Sequence, residues 1–84
     1  MNAVEGFFLN RHTPSAETLL TSMDVFSMMK LLKYGKEYVE NAKEQANENK
    51  LLGRELIANA IDKDVKTINK NLTHLKVAYQ LAMN

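Results

Sequence analysis

Val65, Ile68, Leu72, Leu75, Tyr79 and Ala82 recur at steps of 3, 4, 3, 4 and 3. That spacing gathers the six side chains on one face of a helix, whereas a strand would scatter them over both faces. It predicts an amphipathic helix over about 64–82 and also a short heptad seam, about two and a half heptads long. The rest of the chain is compatible with that helix. Glycine occurs three times and proline once in 84 residues, too few for a fold rich in strands and tight turns. The expected fold class is all-α: a compact bundle of four to five helices with short loops and no sheet.

Composition narrows the function classes. Hydrophobic residues make up 45% and charged residues 25%, which fits a folded domain and not a disordered tail. The length allows one domain with a marginal core, so a partner or a second copy would add stability. Cysteine is absent, which excludes a disulfide framework and a thiolate zinc site and favours a reducing, cytoplasmic setting. No apolar run approaches the roughly 20 residues of a membrane span. Residues 1–8 have no basic region followed by a long apolar stretch, so they do not read as a secretory signal.

Along the chain, residues 1–13 read as an N-terminal arm carrying the apolar knot Phe7, Phe8 and Leu9. Thr13-Pro14 reads as a helix start, with a short helix over about 14–20. Thr21 and Asp24 resemble a capping box ahead of a helix over about 23–34, apolar around much of its circumference. Gly35 can end that helix or only weaken it. A polar helix over about 36–47 follows, with Glu37, Glu40, Glu44 and Glu48 as a solvated ridge. A break is expected at 47–50, an amphipathic helix over about 51–61, an interruption at Asp62, Lys63 and Asp64, and the last helix over 64–82.

The stretch LIANAIDKDVKTINKNLTHL carries the strongest local pattern. Ile57 and Ile61 supply apolar positions of a first helix. Ala58 supplies the small residue where two helices cross closely. Ile68 and Leu72 pin a second helix. Residue by residue, this segment resembles the helix-turn-helix of small bacterial and phage DNA-binding regulators, over about residues 54–75. The resemblance implies that Lys66, Thr67, Asn69, Lys70 and Thr73 face DNA, with Lys50, Arg54 and Lys76 on phosphates. Charge agrees with it. Residues 1–49 hold five basic and seven acidic residues, net −2, and residues 50–84 hold six and three, net +3. A dimer fits such a regulator, formed through Val65–Ala82 or through the Met-rich helix.

The alternative is a small helical modulator of a partner protein with no DNA contact. Its contact residues would be Phe7, Phe8, Met23, Met28 and Met29, because aromatics anchor interfaces and methionine adapts to irregular surfaces. A plain helical hairpin would equally explain residues 50–84 as structure alone. Catalysis is not expected. His12 and His74 are far apart in sequence, and no phosphate loop, nucleophile motif or metal-ligand spacing is present, so no cofactor is implied.

Overall fold

The computed structural model describes residues 3–84, with side chains from Gly6 onward. Of the arm expected at 1–13, residues 1 and 2 lie outside the described residues. The fold is all-α: α1 (Ala3–Phe8), α2 (Ala16–Ser22), α3 (Val25–Leu51) and α4 (Glu55–Met83), with no strand among the described residues. α3 and α4 form a long antiparallel hairpin, and α1 and α2 pack on it near its open end. At 1.5 Å per residue the two long helices run about 40 Å and 44 Å. They set the long axis of a body measuring 46 × 22 × 21 Å.

α3 unites the helices expected at 23–34 and 36–47. Met28, Leu32, Gly35, Val39, Ala42 and Ala46 follow steps of 4, 3, 4, 3 and 4, so one apolar face runs through the glycine. Gly35 is a notch and not a stop. A Cβ built there would stand 2.5 Å from Cζ of Phe8 and 2.6 Å from a Leu72 methyl. The Phe8 ring, fully buried, fills that space. Upstream, Asp24 caps α3, its carboxylate accepting from the Ser27 N–H at 2.8 Å and the Ser27 hydroxyl at 3.2 Å. The cap of α2 is Ser15 and not Thr13, with the Thr18 N–H donating to the Ser15 hydroxyl at 3.2 Å.

The only sharp reversal between the long helices is at Leu52–Arg54, and it corrects the breaks expected at 47–50 and at 62–64. Gly53 adopts φ 75°. Its N–H donates to the Lys50 carbonyl at 3.1 Å, and the Arg54 N–H to the Asn49 carbonyl at 2.8 Å. These are the two bonds of a Schellman stop, which needs a residue at ease in the left-handed region. From there α4 is continuous through Asp62, Lys63 and Asp64. The physical reason lies in the seam. Ala58, Ile61, Val65 and Ile68 step by 3, 4 and 3, so the charged triplet falls between core positions and occupies the solvent side of one helix.

The seam Val65–Ala82 is spent inside the chain. Val65, Ile68, Leu72, Leu75 and Ala78 are buried, and Tyr79 and Ala82 pack against the same core. Within one chain these residues pack against α3 and against α1 and α2. α1 is tied down by one side chain. The buried Asn71 amide donates to the carbonyls of Phe7, Phe8 and Asn10 at 3.3, 2.7 and 3.1 Å. A six-residue helix leaves its last carbonyls without intrahelical donors, and Asn71 supplies the missing ones.

Candidate functional site

The eight residues expected at DNA do not form one surface. Residues 54–75 contain no helix-turn-helix, because α4 runs unbroken from Glu55. Asp62 and Lys63, standing where such a motif has glycine and an apolar plug, are ordinary helical positions. Lys66, Asn69, Thr73 and Lys76 follow steps of 3, 4 and 3 and share one exposed stripe of α4, with Lys70 beside it. Thr67 is half-buried on the other side and donates its hydroxyl to the Lys63 carbonyl at 3.4 Å. Arg54 belongs to the turn. Lys50 pairs with Asp62 at 3.2 Å, bridging α3 and α4 near the turn. Both partners are well exposed, so the pair is screened and contributes about 0–1 kcal/mol.

Two grooves flank the α3–α4 seam, and they differ in charge. The first, about 520 Å³, is floored by Leu32, Val39 and Leu72 and rimmed by Lys33, Lys36, Lys43 and Lys76, with Asn69 and Glu40. Among the described residues none of these four lysines has a carboxylate within ion-pair distance. The second groove, about 330 Å³, carries Tyr38, Asn41, Gln45 and Asp64 and no lysine. The division of charge by halves of the sequence does not survive folding, since three lysines of the acidic half join Lys76 on one flank. Lys33, Lys36, Glu40 and Lys43 are themselves spaced 3, 4 and 3, a signal present in the sequence and outweighed there by the acidic ridge.

No family model, curated protein or solved structure matches the chain.

The residues expected at a protein partner are mostly core. Phe8 and Met28 are fully buried, and Phe7 and Met23 pack against the core. Phe7 meets Phe8 edge to face at 4.9 Å between ring centroids. The size and apolarity that suit an interface also draw these side chains inside. Only Met29 remains exposed. The apolar surface lies instead at the turn, where Leu51, Leu52, Leu56 and Ile57 are 88, 66, 86 and 50% exposed. Their sequence signal is four large aliphatics within seven residues, centred on Gly53. Phe26 and Leu81 are exposed too, but the helical period puts them on the outer faces of two different helices. Of the histidines, His12 is exposed and His74 half-buried beside Ala16 and Val77. Among the described residues no group of His, Asp and Glu is placed to hold a metal ion, and no helix is long and apolar enough to cross a membrane.

Proposed function

We propose that the chain is a non-enzymatic, cytoplasmic binding protein, a small helical bundle that offers the apolar knob at its α3–α4 turn to a partner protein. The exposure of Leu51, Leu52, Leu56 and Ile57 carries this reading. The turn itself is made by backbone hydrogen bonds and by Gly53, so none of the four aliphatics is required to form it. Leu51 and Leu56, almost fully exposed, each forgo most of the about 1.5–3 kcal/mol that burial would supply. Four exposed large aliphatics within seven residues of one turn, unused by the fold, mark an interaction site.

The shape of the knob favours a different protein over a second copy. A hairpin turn is convex. Two such turns meeting end to end touch through a few side chains and fall short of the roughly 1,200–2,000 Å² of a stable interface. The two grooves beside the α3–α4 seam are rimmed by lysines and by amides, so neither matches an apolar knob. The fitting receptor is an apolar cleft on another protein. A cysteine-free chain is at home in the reducing cytoplasm, where such a partner would be met.

Site-specific photocrosslinking tests the reading. With a benzophenone side chain at position 52, the chain should form one discrete adduct with a different protein in its host. That protein, once purified, should bind the wild-type chain and lose about 100-fold or more in affinity for the double variant Leu52→Asp, Leu56→Asp. Circular dichroism should show both chains equally folded. Adducts of the chain with itself alone, or undiminished binding by the double variant, would overturn it.

A further inference from the structure

We propose that the lysine-rimmed groove holds the phosphodiester backbone of a nucleic acid, lying along the α3–α4 hairpin. This concerns a surface separate from the apolar knob and stands or falls apart from it. Lys33, Lys36, Lys43 and Lys76 come from two antiparallel helices and meet over one floor. Against them the lining sets only Glu40, four positive charges and one negative, a local +3 on a chain whose net charge is +1. Among the described residues Lys50 is the one lysine in an ion pair, so what sets these four apart is their convergence on a single groove. Positive charge gathered on one flank and absent from the lining of the other calls for an anion from outside.

Spacing selects an extended anion. Lys33 and Lys43 are ten residues apart on α3, about 15 Å along its axis. One strand of a duplex carries a charge roughly every 3.4 Å, so about four phosphates pass over that length, matching the four lysines. Lys66 and Asn69 continue the rim along α4, and Asn69 carries an amide able to reach a sugar or base edge. The contact differs in kind from an inserted recognition helix: it tracks a backbone and reads little sequence.

The test is fluorescence anisotropy with labelled duplex and single-stranded DNA and RNA oligonucleotides over a salt series. Four phosphate contacts give a log–log salt slope near −3.6 on duplex or near −2.8 on a single strand. On duplex this is a loss of roughly 150-fold between 50 and 200 mM salt. The slopes and affinities of the probes identify which form is bound. The double variant Lys36→Gln, Lys76→Gln should shallow the slope by about half, and Glu40→Gln should tighten binding. A control with Lys30→Gln and Lys63→Gln, both outside the groove, should leave the slope within about one contact less of wild type. No binding to any probe at 50 mM salt by the folded chain would overturn the proposal. So would a slope indifferent to the groove variant, or equal competition by polyglutamate, which would assign the groove to acidic protein segments.

Discussion

The two ends of the α3–α4 hairpin use the same residue types and put them in opposite environments. At the open end, where α1 and α2 pack on the hairpin, Phe8, Met28 and Leu75 are fully buried. At the turn Leu51 and Leu56 stand almost free in water. A two-helix hairpin has only one seam, so apolar residues off the seam need a third element to cover them. The open end has that element. The turn does not. Stability is therefore concentrated at one end, and the other is released from structural duty.

The largest expected effect breaks this comparison if it fails. Phe8→Ala should cost about 3–5 kcal/mol, whereas Leu52→Ala or Leu56→Ala should stay within about ±0.5 kcal/mol. Urea unfolding followed by circular dichroism reads all three. Equal losses at both ends would mean that the knob is part of the core.

A smaller effect sharpens the account of the covered end. Gly35→Ala adds a methyl group into the Phe8 ring and the Leu72 methyl. Overpacking of this kind costs about 1–3 kcal/mol, partly offset by about 1 kcal/mol of helix propensity. The net loss should appear as a lower urea midpoint. It should shrink in a Phe8→Leu background, where the ring is gone and the flexible Leu72 methyl is the remaining close neighbour. A glycine that merely relieved strain in α3 would respond equally in both backgrounds.

The smallest effect concerns the start of α3. Hydrogen bonds from the Ser27 N–H and hydroxyl hold the Asp24 carboxyl below its ordinary value of 3.8. A group depressed by folding contributes stability above its unfolded pKa and loses it as pH falls through the folded one. Thermal melts at about pH 6 should rank the wild-type chain above Asp24→Ala. The gap should narrow as the pH is lowered below 3.8. A gap independent of pH would mean that the carboxylate does not act as the cap.

Much of the fold was legible in local spacing. The face running from Val65 to Ala82 is buried as its 3-4 period demands. The helix ends were harder. Asp62, Lys63 and Asp64 read as an interruption because three charged residues in a row have no apolar member. A helix tolerates this wherever the seam's next position comes on time, as Val65 does. Gly35 and Gly53 look alike in sequence, yet one is a notch for Phe8 and the other a left-handed stop. That difference is tertiary, since the Phe8 ring and a Leu72 methyl, both brought from outside α3, take the space a side chain at Gly35 would need. The lysine groove was hidden for the same kind of reason. Lys76 joins Lys33, Lys36 and Lys43 only once the helices are antiparallel, and summing charge by halves of the chain cancels the signal. Phe8 and Met28 read equally as core or as contact residues, because size and apolarity suit both, and the structure places them in the core.

The single amide of Asn71 joins residues 61, 63 and 64 positions away in sequence. The α3–α4 hairpin, by contrast, closes from a three-residue turn, so each successive pair along its seam meets across a loop already shortened by the pair before. The order of events follows from this. The hairpin zips outward from Gly53, and α1 docks last, when the slot at Gly35 and the Asn71 amide are both in place. In reverse, α1 is the first piece to leave. Its departure uncovers the slot without melting the hairpin, so the earliest unfolding step is a local one, confined to the end of the molecule farthest from the knob.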